Sequence, residues 1–105
     1  MRKVRVSVGI VFNNQGKVLI STREQNRSYQ GYWEFPGGKA EAKENGLMAL
    51  RRELKEELNI DVHQATPWLS RQIIDDNTLL DISFWCICGK QWSGDIKARE
   101  EQYWE

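Results

Sequence analysis

The chain is 105 residues long and carries 15 basic and 15 acidic side chains, so its formal net charge is zero. A chain of this length suits one domain with a modest core and leaves no room for a second domain. Without a net positive charge it lacks the polybasic field that holds a nucleic acid polymer or an anionic membrane, and we expect neither as a partner. Monomer and homodimer both remain open.

The start of the chain and its cysteines indicate a cellular location. Met1, Arg2 and Lys3 lead directly into alternating sequence, without the apolar run of a signal peptide, and no stretch approaches the ~20 apolar residues of a transmembrane helix. Cys86 and Cys88 have no second Cys or His pair to complete a zinc set, so we interpret them as reduced strand residues. These features predict a cytoplasmic protein.

The first third of the chain has the pattern of strands. Apolar residues alternate with small or polar ones over residues 4–10, and the apolar stretch 18–20 follows a turn-like segment at 13–16. This pattern predicts an opening β-hairpin. A short aromatic strand over residues 33–35 is then stopped by Pro36, Gly37 and Gly38.

An amphipathic helix is predicted from Asn45 to Leu58. Its apolar residues recur at intervals of three and four, which places them on one side of a helix. They are Leu47, Leu50, Leu54 and Leu58. Asn59 suits the left-handed conformation that often ends a helix.

The remainder of the chain again favours strands. Residues 62–70 and 71–74 are predicted to be extended, residues 75–77 form a turn, and residues 79–88 form the strongest later strand. The polar tail from Gly94 to Glu105 receives no element. Strands, one helix and further strands predict an α+β fold, with a mixed sheet packed on the helix.

Three glutamates of the predicted helix point to metal chemistry. Glu53, Glu56 and Glu57 stand at i, i+3 and i+4 and therefore share a side that the leucines do not occupy. At a separation of about 5–6 Å and an effective dielectric constant of about 20, each ionised pair repels by about 3 kcal/mol. Mg²⁺ or Mn²⁺ would remove this repulsion, and such hard ions also bridge to phosphate oxygens. The alternative is a solvated acidic surface paired with neighbouring lysine and arginine residues.

The sequence around these glutamates favours the metal site. From Gly38 to Ile60 the chain resembles the Nudix box, G-x5-E-x7-R-E-U-x-E-E-x-G-U, with only Asn59 departing, where the family has glycine. The matching positions are Gly38, Glu44, Arg52, Glu53, Leu54, Glu56, Glu57 and Ile60. A spaced match of this length is a specific signal.

The resemblance to Nudix hydrolases implies roles for individual residues. The Gly37 carbonyl and the helix glutamates, Glu53, Glu56 and Glu57, would hold the metal ions, and Arg52 would order the carboxylates. Hydrolysis also needs a base for the attacking water. Glu53 is favoured for this role, and Glu100 is its rival because residues 99–102 resemble a later Glu-x-Gln segment of related enzymes that adds a carboxylate to the metal.

A second motif resembles the MutT-type branch, whose members act on 8-oxo-dGTP. The stretch Trp33-Glu34-Phe35-Pro36-Gly37-Gly38-Lys39 is similar to the entrance motif of that branch. Its residues from Glu34 to Lys39 are the candidates for substrate binding. Arg23 matches the position of a phosphate-contacting arginine, for which a guanidinium is well suited.

The resemblance implies a metal-dependent pyrophosphohydrolase that converts a nucleoside triphosphate to a monophosphate and pyrophosphate. MutT-type domains continue for a further helix and strand, so we expect residues 1–105 to be a single Nudix domain of α/β/α type that lacks its C-terminal part. Two alternatives are a hydrolase of another nucleoside diphosphate derivative, such as ADP-ribose or a dinucleotide, and a silent nucleotide-binding module. His63 is the single histidine of the chain. We assign it no catalytic role and expect no Ser-His-Asp or Cys-His site.

Overall fold

The computed structural model describes residues 1–22, 33–96 and 102–105, with the backbone alone described at residues 21, 22, 33, 102 and 103. The elements in these ranges are β1 (Arg2–Val11), β2 (Leu19–Thr22), β3 (Trp33–Glu34), β4 (Gly37–Lys39), α1 (Gly46–Leu58), β5 (Asp61–Val62), β6 (Thr66–Asp75), β7 (Thr78–Ile87), β8 (Trp92–Ser93) and β9 (Gln102–Trp104). The predicted α+β class is confirmed. Within these ranges no helix has the length and apolar character needed to cross a membrane.

The largest sheet has four strands in the order β4-β1-β7-β6. β1 runs parallel to β7 over its whole length, from the pair Arg2 and Thr78 to the pair Val11 and Ile87, and antiparallel to β4. The sheet is therefore mixed, as predicted. The strand β1 lies between β4 and β7, which both follow it later in the chain.

The prediction of an opening β-hairpin is wrong. β2 belongs to a second sheet of order β3-β2-β9, and a single bridge between Phe12 and Val18 joins the first two strands. Asn13 closes the turn between them, since its side chain accepts hydrogen bonds from the backbone N–H groups of Gln15 (2.9 Å) and Lys17 (3.0 Å). The alternating pattern shows that β1 is a strand but does not show with which strand it pairs.

The helix α1 is built as the sequence predicts. Asn45 caps its start by accepting a hydrogen bond from the Met48 N–H at 2.8 Å, and Asn59 ends it in the left-handed region at φ 61°. Leu50, Leu54 and Leu58 are fully buried, whereas Leu47 is half-buried.

The helix packs closely on β1 at Gly9. A Cβ added to Gly9 would lie 3.2–3.3 Å from side-chain atoms of Leu50, Leu54 and Ile87, so the missing side chain permits this approach. The buried core beneath the helix contains Val11, Leu19, Leu50, Leu54, Leu58, Ile60, Val62 and Ile87. The core thus lies between the helix and the end of β1, and the helix is fixed against this strand.

The strands β6 and β7 form a hairpin at one edge of the main sheet. Asp76 and Asn77 connect them with φ values of 46° and 61°, which confirms the predicted turn. Of the two extended stretches predicted over residues 62–74, Val62 belongs to β5, residues 63–65 belong to no strand, and residues 66–74 lie in one strand, β6, with an irregularity between Pro67 and Leu69. Most of β6 is exposed, because it is an outer strand of this sheet.

The C-terminal strand β9 was not predicted. It pairs with β2, and the ring of Trp104 stacks on Trp92 with 6.2 Å between ring centroids. Trp92 in turn donates from Nε1 to the Phe12 carbonyl at 2.8 Å. Cys86 and Cys88 are free cysteines, as expected.

Candidate active site

The side of α1 that carries the glutamates faces the β4 loop and solvent. The side chain of Glu53 is 18% exposed and that of Glu56 is 57% exposed. Glu57 is half-buried, and its Oε2 atom is fully shielded from solvent. The three carboxylates thus differ in their exposure to solvent, and Glu56 is more exposed than Glu53.

Two glycines of β4 allow the backbone to approach this side of the helix. Gly37 adopts φ 152°, and a Cβ there would collide with the Ser7 carbonyl group on β1. A Cβ on Gly38 would overlap the carboxylate of Glu53. Only glycine at these positions lets β4 lie between β1 and Glu53 without displacing either.

Arg52 connects the helix to the loop that precedes it. It donates from Nε and Nη2 to the two carboxylate oxygens of Glu44 at 2.8 and 2.9 Å, and from Nη2 to the Lys39 carbonyl at 2.9 Å. Nη1 donates to Glu53 at 2.8 Å and to Glu56 at 3.4 Å. A guanidinium has five N–H donors in a fixed plane, and all three of its nitrogens are engaged here. Arg52 therefore fixes Glu53 relative to the loop.

The same contacts determine the electrostatics of the loop. Hydrogen bonds from Arg52, and then from the Glu41 N–H, lower the pKa of Glu44 from 4.5 to about 2. The hydrogen bond to Glu44, followed by that to Glu53, raises the pKa of Arg52 above its ordinary value. Both groups stay ionised throughout the neutral range, and their pairing is stable there.

Comparison with known proteins identifies this arrangement. Residues 1–104 match the family model of the NUDIX domain. The chain belongs to the NUDIX family. It is a Nudix hydrolase, and the stretch that resembles the Nudix box, from Gly38 to Ile60, includes part of β4 and the whole of α1.

Two relatives of this Nudix hydrolase are named for nucleoside triphosphate substrates. An 8-oxo-dGTP diphosphatase of Proteus vulgaris is 42% identical over 65 residues, 62% of this chain and 58% of the relative. A CTP pyrophosphohydrolase of Escherichia coli (strain K12) is 31% identical over 102 residues, 97% of this chain and 73% of the relative. A structure from work on MutT of Aliivibrio salmonicida and Vibrio cholerae superposes with a TM-score of 0.81 at 29% identity, covering 99% of this chain and 80% of that one.

Nudix hydrolases generally use divalent metal ions, and the donor groups here suit such ions. Among residues 1–22, 33–96 and 102–105, no three His, Cys, Asp or Glu side chains are gathered as a metal site. One oxygen of Glu53 is engaged by Arg52, and Glu56 extends into solvent. The donors that would hold the ion are carboxylate and carbonyl oxygens, which is the ligand type of Mg²⁺ and Mn²⁺. The Glu53 carboxylate occupies the space where a side chain on Gly38 would lie. Glycine at this position therefore keeps one carboxylate donor against the β4 backbone.

The other predicted site residues are distributed around β4. Pro36 is buried and its carbonyl accepts a hydrogen bond from the Gly9 N–H at 2.8 Å, whereas Phe35 is 39% exposed. Glu34 is half-buried at the end of β3, and Lys39 is exposed. Arg23 and Glu100 lie outside the described residues.

Two residues of β1 that contact the site were not predicted. Ser7 is buried and donates from Oγ to the Gly46 carbonyl at 2.8 Å. Arg5 donates from Nη1 to the Glu44 carbonyl at 2.9 Å and from Nη2 to the Glu41 carbonyl at 3.0 Å. In the sequence both residues fit the polar positions of an alternating strand, and that pattern gives no sign of these contacts.

Proposed function

We propose that this Nudix hydrolase cleaves a nucleoside triphosphate to a nucleoside monophosphate and pyrophosphate, with 8-oxo-dGTP as the first candidate substrate and the cytoplasmic nucleotide pool as its source. The observation that carries the proposal is the fixed position of Glu53 between Arg52 and Gly38. A carboxylate held in this way has a defined direction before substrate arrives, which is the preorganisation that catalysis requires.

The proposed roles rest on the resemblance to the Nudix box and on the contacts of the described residues. The Gly37 carbonyl, Glu53, Glu56 and Glu57 would hold Mg²⁺ or Mn²⁺, with Glu100 as a further candidate, and the ions would neutralise charge on the phosphates. Arg52 orients Glu53 through the 2.8 Å hydrogen bond. Lys39 is exposed beside the glutamates and supplies a positive charge for a phosphate oxygen.

In the reaction, water attacks a phosphorus of the polyphosphate and the bond from that phosphorus to a bridging oxygen breaks. The water loses one proton to a base, for which Glu53 is the first candidate, and the bridging oxygen leaves with the other product. Phe35, with 39% of its surface exposed next to the β4 loop, offers a flat apolar surface to the nucleoside. Arg23 remains the candidate for a second phosphate contact.

A pyrimidine triphosphate is the second candidate substrate. It is favoured by the CTP pyrophosphohydrolase relative, whose similarity extends over 97% of this chain. A panel containing 8-oxo-dGTP, dGTP, CTP and ADP-ribose, assayed for pyrophosphate release, separates these candidates because ADP-ribose yields no pyrophosphate.

The test compares Glu57→Gln with Glu105→Gln, which makes the same chemical change at an exposed position far along the chain. Loss of a metal-holding carboxylate or of a base is expected to lower kcat by about 10²–10⁴-fold, with the control unchanged. Activity should also require Mg²⁺ or Mn²⁺ and be abolished by EDTA. Equal activity of Glu57→Gln and the control would exclude the proposed site.

A further inference from the structure

Arg5 connects the first strand of the sheet to the loop before the active-site helix. It lies on β1, 36 and 39 positions before the residues whose carbonyls it contacts. The backbone of Arg5 also takes part, since its carbonyl accepts a hydrogen bond from the Ala40 N–H at 2.8 Å. Both its main chain and its side chain therefore hold the loop that begins after β4.

The loop is a compact turn whose geometry depends on these contacts. The Glu44 N–H donates to the Glu41 carbonyl at 3.0 Å, and the Glu41 N–H donates to Glu44 Oε1 at 2.9 Å. The same carboxylate receives two hydrogen bonds from Arg52. Arg5 thus binds the main chain of the turn, whereas Arg52 binds the side chain of Glu44.

The charge of Arg5 also acts on Glu44. It is one of the groups that lower the pKa of this carboxyl group, after the hydrogen bonds of Arg52 and of the Glu41 N–H. Arg5 is half-buried as a residue, and its hydrogen bond to the Glu44 carbonyl is partly buried, so this bond is less weakened by competing water than an exposed one.

We propose that Arg5 is a positioning residue of the hydrolase, which acts through the turn at residues 41–44, Glu44 and Arg52 to hold Glu53 in its metal-binding direction. This rests on the proposed function only in that Glu53 serves as a metal ligand. The chain of contacts is continuous: Arg5 to the Glu44 carbonyl at 2.9 Å, the Glu44 carboxylate to Arg52 at 2.8 Å, and Arg52 to Glu53 at 2.8 Å.

The test replaces Arg5 by glutamine and uses Lys3→Gln as the matched control. Lys3 lies two residues earlier on the same strand and carries the same charge, and within the described residues its side chain forms an ion pair with Asp81 at 3.7 Å, whereas the side chain of Arg5 binds the carbonyl groups of the turn. Mn²⁺ binding is titrated by electron paramagnetic resonance without nucleotide, and the Mg²⁺ concentration for half-maximal activity is measured separately. Thermal unfolding is measured to check that both variants are folded at the assay temperature.

Residues that orient metal ligands typically contribute about 10–100-fold to metal affinity or activity. Arg5 acts two contacts further out than Arg52, which touches Glu53, so we expect a loss at or below the lower end of this range, about a 5–10-fold weaker Mn²⁺ affinity. Lys3→Gln should match the unaltered protein. If Arg5→Gln does not fold, Arg5→Lys is measured instead, and it should show a smaller loss of the same kind because one ammonium group does not reproduce the two-pronged guanidinium.

Combining Arg5→Gln with Glu44→Gln distinguishes action through Glu44 from a purely structural role of Arg5. If Arg5 acts through Glu44, the double variant binds Mn²⁺ about as weakly as Glu44→Gln alone, because the path is already broken. Losses that multiply, or an Arg5 variant within twofold of the Lys3 variant, would overturn the proposal. Failure of the proposed function would look different: the unaltered protein would bind Mn²⁺ but release no pyrophosphate.

Discussion

Gly38→Ala provides a sharp test of the site, because it adds one methyl group next to Glu53. The new Cβ would lie 2.5 Å from Glu53 Oε2, whereas ordinary contacts of a Cβ begin at 3.4 Å. The carboxylate must therefore move by about 1 Å, and a misplacement of this size can reduce a rate about 10²-fold. That factor corresponds to about 2.7 kcal/mol in the activation free energy.

The assay is pyrophosphate release from the best triphosphate substrate, with kcat and KM determined separately. The backbone of Gly38 is outside the left-handed region, so alanine causes no backbone strain there. The control is Gly16→Ala in the β1–β2 turn, where φ is 76° and nothing lies near the added methyl. This control should lose about 1–2 kcal/mol of unfolding free energy while keeping its activity when assayed well below its Tm.

The two variants thus separate catalysis from stability. We expect Gly38→Ala to lower activity with only a modest change in Tm. We expect Gly16→Ala to lower Tm and leave activity unchanged. Unchanged kcat in a folded Gly38→Ala protein would refute the reasoning, since Glu53 would then be free to move by 1 Å without consequence.

Two further predictions concern Glu44 and Asn59. The pKa of Glu44 is lowered from 4.5 to about 2, so its pairing stabilises the fold above pH 4.5 and this contribution is lost as the pH falls towards 2. The Tm difference between the unaltered protein and Glu44→Gln should therefore be largest near neutral pH and shrink below pH 4.5 in a thermal scan; a constant difference would contradict the assignment. Asn59 is left-handed at φ 61°, so Asn59→Ala should lower the unfolding free energy in urea by about 1 kcal/mol while Asn59→Gly should not. Equal stability of these two variants would rule out a role for backbone conformation at this position.

The helix and its ends were predictable because their causes are local. The leucine spacing, the Asn45 cap and the left-handed Asn59 each depend on residues within one or two turns of the helix. The hydrogen bonds of Arg52 to Glu53 and Glu56 are local as well. The motif included Glu44, but its pairing with Arg52 was not predicted.

The pairing of β1 and the roles of Arg5 and Ser7 were not predictable in this way. Alternation over residues 4–10 identifies a strand, but its partners β4 and β7 are specified by contacts with residues far along the chain. Arg5 occupies a position that a solvated strand residue would fill equally well. Its carbonyl contacts become visible only when the turn at residues 41–44 is placed beside β1.

The parallel pairing of β1 with β7 has a consequence for how the protein is made. During synthesis β1 emerges from the ribosome before β7, and its pairing with β7 cannot be completed until Ile87 has emerged, because the pairing ends at Val11 and Ile87. Such long-range pairing slows folding, since a long loop must close before its contacts form. Arg5 and Ser7 also emerge before the helix that they support, which follows at residues 46–58. Completion of the active site therefore depends on β7, a strand that contributes none of the proposed catalytic groups.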